Sequence, residues 1–160
     1  MMDDAQSDTL NEIETIPPVA LWLGVGGLIP FLAPALFIWM PPSQGWQGIA
    51  VTFGMVYGAI ILSFLGGVRW GGALHHLDTR TFILSVLPAL LAYGVLVFPA
   101  IPLGPLLLAA CHSVQGLSDI SAARNGMLPV WYARLRAGLT LGAVSSLLSI
   151  ALNFYLAANV

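Results

Sequence analysis

This sequence predicts an all-α integral membrane protein, a bundle of about five transmembrane helices with its N-terminus cytoplasmic and its C-terminus periplasmic. Three observations predict it. Of 160 residues, 58% are hydrophobic and only 8% are charged, whereas a soluble domain carries about 25% charged residues. A small chain has proportionally more surface to cover, so lipid must be the solvent for most of it. Five apolar windows are long enough to cross a bilayer core of about 30 Å, which takes roughly 20 residues. Finally, the five basic residues, all arginines, fall on one side of the helices those windows define.

Residues 1–16 read as an acidic cytoplasmic tail. Asp3, Asp4, Asp8, Glu12 and Glu14 stand where a signal peptide would be basic, and this composition favours a solvated segment that a partner could order. Residues 17–160 read as a single transmembrane domain with helices over about 18–40, 48–68, 81–99, 101–119 and 136–158. Pro41-Pro42-Ser43 punctuates the first connection, and Pro99 and Pro102 the third. The fourth window is the most polar, with Pro102, Pro105, His112, Gln115 and Asp119. It needs neighbouring helices to supply partners for those groups, and prolines near a helix start cost little.

Orientation follows from the arginines. Arg69 and Arg80 flank the second connection, and Arg124, Arg134 and Arg136 lie in or beside the fourth. With five spans both connections share the side of the N-terminus, and the opposite side carries no arginine or lysine, so that side is cytoplasmic. Trp39 and Trp46 then anchor the outer interface. Trp70, Trp131 and Tyr132 anchor the inner one, with Arg134 and Arg136 reaching lipid phosphates. Residues 129–136, Pro-Val-Trp-Tyr-Ala-Arg-Leu-Arg, open the fifth helix, where proline suits the first turn.

Small residues recur at helical spacing. Ala59, Ser63, Gly67 and Gly71 form one row on the second helix, with Gly54 and Gly58 one turn-phase away, and Gly138 and Gly142 begin a similar row on the fifth. Such rows let helix backbones approach closely where lipid gives no hydrophobic drive for association. They are expected to pack the bundle itself or to dock against a helix of another protein.

The candidate polar site is a stripe on the fourth helix. His112, Gln115 and Asp119 sit at i, i+3 and i+7 and share a face, and polar groups at membrane depth face a bundle interior or a water-filled cavity. Arg69 or Arg124 is the expected partner of Asp119. The plainer reading is a helix-end ion pair with a buried histidine; the sharper one is a ligand contact or proton relay. His112 alone lies inside a span, with His75 and His76 assigned to the loop after Trp70, so a bis-histidine haem site is disfavoured. No Cys/His cluster has metal-ligand spacing. Cys111 cannot form an intrachain disulfide, being the only cysteine. Gly24-Val-Gly-Gly27 is a fragment of a nucleotide fingerprint inside a membrane helix and carries no weight. No nucleophile with a base, paired carboxylates or phosphate loop is visible, so no enzymatic activity is expected. A net charge of −2 leaves no nucleic-acid footprint.

Several segments together resemble a known family. Gly24-Val-Gly-Gly-Leu-Ile-Pro-Phe31, Tyr57-Gly-Ala-Ile-Ile-Leu-Ser-Phe-Leu-Gly-Gly-Val-Arg-Trp-Gly71, Ser85-Val-Leu-Pro-Ala89 and Pro129-Val-Trp-Tyr-Ala-Arg-Leu-Arg136 are similar to the uncharacterised proteobacterial inner-membrane family that includes mitochondrial transmembrane protein sixty-nine. The resemblance spans about residues 18–150 and is most specific at Tyr57–Gly71. It implies five helices and an inner-membrane location, bacterial or mitochondrial, and it implies no activity. Asp119 falls where that family also carries an aspartate; Arg69 stands where a histidine is expected in many relatives.

The function expected from these residues is that of a non-catalytic accessory subunit. It would pack within or beside a larger inner-membrane energy-transducing complex, respiratory or photosynthetic, with membrane lipids as its other partners. The alternative is a small transporter or ligand-binding membrane protein using the fourth-helix stripe; a third is an assembly factor that leaves the mature complex. No cofactor is called for, though the glycine-rich faces are compatible with a bound lipid, quinone or pigment.

Overall fold

A computed structural model describes residues 15–76, 79–98 and 103–157. They form five α-helices: α1 Pro18–Phe37, α2 Gln44–His76, α3 Thr79–Val97, α4 Leu103–Arg124 and α5 Val130–Ala157. No strand occurs among the described residues. Most of the acidic tail, together with Pro99 and Pro102, lies outside them.

Hydropathy windows find the hydrocarbon-embedded part of a helix, not its ends. α2 runs 33 residues, about 50 Å at 1.5 Å per residue, and so outlasts the 20-residue stretch that an apolar core demands. His75 and His76, assigned above to a loop, instead occupy its last turn. Nothing in Gly71-Gly72-Ala73-Leu74 forces a stop, since no proline removes a donor there. At the start of α1 the sequence sets the boundary: proline stands at the first position, where its missing N–H costs no helix bond.

α4 ends differently. Gly126 adopts φ 75°, its N–H donates to the Ala123 carbonyl at 3.1 Å, and the Met127 N–H donates to the Ala122 carbonyl at 3.0 Å. This is a Schellman stop, in which glycine takes the left-handed turn without a Cβ penalty. It folds Met127 and Leu128 back over the end of α4.

Cross-helix contacts fix the arrangement. Going along α1, Gly24 meets Leu139, the flank of Pro34 faces Gly54, and Trp39 donates its indole N–H to Ser149 at 2.9 Å. α1 and α5 therefore run in the same direction. α2 opposes α1, because Tyr57 donates to the Gly27 carbonyl at 2.9 Å while Gly54 lies against Pro34. α4 opposes α5, because Gly116 packs on Thr140 and Asp119 reaches Arg136. α3 opposes α2, because Gly66 lies against Ser85 while Trp70 meets Phe82, so successive helices alternate in direction.

Four of these helices, α1, α2, α3 and α5, are long and apolar enough to cross a membrane. α4 is not apolar enough by itself, yet at 22 residues it has the length, about 33 Å. It is also the most enclosed in proportion, with ten of its 22 residues buried. Its neighbours shield its polar side chains, His112 against α2 and Asp119 against α2 and α5.

The core lies where the five helices converge, α3 contributing Ala92 and Val95. Phe31, Met55, Leu108, Leu147 and Ile150 are buried together. Small residues let the backbones close around them. A Cβ on Gly54 would meet Ile150 Cδ1 at 2.7 Å, and one on Gly58 would touch Phe31, Leu108 and Leu147 at 3.5–3.6 Å.

Candidate functional site

Asp119 lies in the penultimate turn of α4, 2% exposed, and both of its oxygens are engaged. Oδ1 is ion-paired with Arg69 Nε at 3.2 Å and accepts from the Gln115 amide at 2.9 Å. Oδ2 accepts from Arg136 Nε at 3.0 Å. Arg69 reaches in from α2 and Arg136 from the second turn of α5, so the carboxylate ties three helices together. Arg69 Nη2 also donates to the Ser118 hydroxyl at 2.6 Å.

Of the two partners expected for Asp119, Arg69 is used and Arg124, which is exposed, does not contact it. Arg136 corrects the sequence reading. Assigned as an interfacial anchor, it is instead 5% exposed and paired to Asp119. Residue 136 lies two turns into α5, not at its mouth, and its angular position points inward. Its Nη2 is buried with no protein hydrogen-bond partner among the described residues. Two guanidinium groups on one carboxylate leave one net positive charge in the triad.

The upper end of the stripe is separate. His112 is fully buried, and its Nε2 lies 2.9 Å from the Gly58 carbonyl. A carbonyl only accepts, so Nε2 carries the proton and Nδ1 is the free acceptor in the neutral ring. Nδ1 has no protein hydrogen-bond partner among the described residues, and the ring stands edge-on to Phe31 at 5.6 Å. Gln115 turns toward Asp119, not toward His112. The stripe is therefore two sites: a histidine locked between α2 and α4, and an ion cluster below it.

A cavity of about 640 Å³ opens beside the ion cluster, between the C-terminal parts of α2 and α4, the N-terminal end of α3 and the α4–α5 turn. Arg69, Arg80, Thr81, Ser118, Asp119 and Ser121 give it one polar wall. Val68, Ala73, Leu84, Ala122, Met127 and Leu128 give it an apolar one. Gly72 lines it too, and nothing lies within 4 Å of where its Cβ would project. The cavity does not include His112 or Gln115.

The glycine rows divide. Gly54, Gly58 and Ala59 are buried, Ser63 is half-buried and bonds its own helix at the Ala59 carbonyl, and Gly142 faces Leu28. Gly67, Gly71 and Gly138 are exposed with nothing within 4 Å of a Cβ. The every-fourth row drifts around α2, because 3.6 residues per turn turns a four-residue spacing steadily sideways. The close approach on this part of α2 belongs to Gly66, which the spacing argument passed over: its Cβ would collide with the Ser85 carbonyl of α3. The adjacent pair Gly66-Gly67 was the available signal.

Among the aromatic anchors, Trp39 bonds Ser149, and Trp46 stands edge-on to Phe37 at 6.0 Å. Trp70 is 45% exposed and meets Phe82 at 4.9 Å. Trp131 and Tyr132, half-buried, contact each other at 6.0 Å, and Arg134 is exposed.

The family described as a protein of unknown function, DUF3429, matches residues 16–152. Transmembrane protein 69 of Xenopus tropicalis is 37% identical over 153 residues, covering 90% of this chain and 58% of that protein. Transmembrane protein 69 of Mus musculus is 39% identical over 66 residues, 41% of this chain and 26% of that one. The chain thus spans little more than half the length of the frog relative and about a quarter of the mouse relative in these matches. No solved structure matches the chain.

Proposed function

Because the chain belongs to the DUF3429 family of multi-pass membrane proteins, whose function is unknown, we propose a role from its own geometry: a non-catalytic protein of the inner membrane that binds, and as a transporter would pass on, a small ligand held in the cavity beside Asp119. One observation carries this reading. A cavity of about 640 Å³, inside the 300–1,000 Å³ range of ligand sites, is walled by a buried ion cluster on one side and apolar groups on the other. Structural ion pairs alone do not need such a space next to them.

Purification of the tagged chain in mild detergent, followed by mass analysis of the non-protein molecules it carries, tests the reading. Gly72→Phe should expel the ligand by filling the cavity, while Gly26→Phe, at an exposed glycine on α1, should retain it. Identical molecules in both variants would remove the cavity from consideration.

A second reading, the accessory subunit of a larger energy-transducing complex, draws support from Gly67, Gly71 and Gly138, small residues exposed where another helix could approach. Stoichiometric recovery of a respiratory or photosynthetic complex in the same purification would favour it.

The arginine-bearing end of the bundle belongs on the cytoplasmic side under the positive-inside rule. In a Cys111→Ala background, an impermeant maleimide should label Ser43→Cys on intact cells and Arg124→Cys only after permeabilisation. The reverse pattern would invert the topology.

A further inference from the structure

We propose that the cavity holds the acidic headgroup of an amphiphile, its phosphate or carboxylate set between Arg69 and Arg80 and its apolar portion laid along Val68, Leu84 and Met127. This rests on the ligand-binding reading above and names the ligand's chemistry.

Charge is the first argument. Asp119 is shared by Arg69 and Arg136, so the cluster keeps one positive charge in excess, and Arg80 brings a second guanidinium to the same wall. A cleft whose charged lining is net positive, Arg69 and Arg80 against Asp119, favours an anion between low-dielectric walls. Guanidinium forks match phosphate and carboxylate oxygens in two-point contacts. Of the two cations on Asp119, Arg69 is the one able to serve both partners. It lines the cavity and its side chain is 18% exposed, against 6% for Arg136, which does not line it. Ser118, Ser121 and Thr81 add hydroxyl donors on the same side.

Size and polarity are the second argument. A bare phosphate or carboxylate would leave most of about 640 Å³ unfilled, and it would have no use for the wall formed by Val68, Ala73, Leu84, Ala122, Met127 and Leu128. An amphiphile uses both walls. Arg80 lies in the first turn of α3 and Arg69 about two turns before the end of α2, so a membrane acidic lipid can enter sideways with its chains still in the bilayer.

The test uses the full chain in a neutral maltoside detergent and reads the thermal midpoint during titration with phosphatidylglycerol, phosphatidylcholine or inorganic phosphate. Phosphatidylglycerol should protect at concentrations at least tenfold below those needed for phosphatidylcholine. Arg80→Gln should lose most of that preference, Gly72→Phe should lose the protection, and Gly26→Phe should keep it. Arg80 and Gly72 are chosen because neither belongs to the ion cluster that holds the helices. If inorganic phosphate protects alone and displaces the lipid, the source is a free anion and the amphiphile is overturned while the charge chemistry stands. If both lipids protect equally and Gly72→Phe abolishes both effects, the acidic headgroup is overturned and the ligand-binding reading survives. If Gly72→Phe changes nothing, both fall.

Discussion

Asp119→Asn should cost the solubilised protein more stability than any other single polar substitution in the bundle. The change is nearly isosteric, so packing is kept while the charge is removed. What remains is Arg136, 5% exposed, with no carboxylate beside it and its Nη2 already without a protein hydrogen-bond partner among the described residues. Removing one partner of a buried ion pair costs about 3–5 kcal/mol, mostly because the other charge is left uncompensated. Arg136→Met should cost less. Its removal leaves Asp119 with Arg69 at 3.2 Å and the Gln115 amide at 2.9 Å, and methionine fills the space with a pliable apolar chain. The double variant should then be more stable than Asp119→Asn alone, since it retains only Arg69, which can turn toward the cavity. That sign cannot arise from independent sites, whose effects add. Thermal midpoints of the wild type, the two single variants and the double variant, read by size-exclusion fluorescence, decide it. A double variant less stable than Asp119→Asn would mean that Arg136 is not held by this carboxylate.

The sequence made the helices legible because their signal is cumulative: twenty apolar residues in a row have few alternatives in a chain with so few charges. The number of helices was legible for a subtler reason. α4 is the most polar of the five windows, and keeping it as a span is what places the five arginines on one side. The polar site was legible only in part. Spacing put His112, Gln115 and Asp119 on one face, which is a property of one helix. Which arginine closes on Asp119 is a property of three helices, and Arg136 looked interfacial because it follows Trp131, Tyr132 and Arg134 so closely. Four residues further along a helix is one turn deeper into a membrane, enough to change an anchor into a buried ion pair. The cavity had no signature at all, since its walls come from α2, α3, α4 and a turn that meet only when folded.

Gly66 and Gly67 show the same limit one residue apart, and they give the second large effect. Gly66→Ala should lower stability by about 1–3 kcal/mol, the usual range for forcing extra volume into a packed interface, whereas Gly67→Ala should be neutral or slightly stabilising. Alanine is the better helix former by roughly 0.5–1 kcal/mol, and at Gly67 nothing lies within 4 Å to oppose it. At Gly66 the new methyl would land on the Ser85 carbonyl, with Pro88 Cβ 3.6 Å away. A backbone carbonyl inside a helix cannot rotate aside as a side chain can. The strain at Gly66 must therefore move α3 as a body, carrying Arg80, Thr81 and Leu84 outward from the cavity they line. Gly66→Ala should accordingly weaken ligand retention as well as lower the thermal midpoint, while Gly67→Ala preserves both. Equal midpoints for the two variants would show that α2 and α3 do not approach this closely. A lowered midpoint with full ligand retention would show that α3 yields without disturbing the site at its N-terminal end.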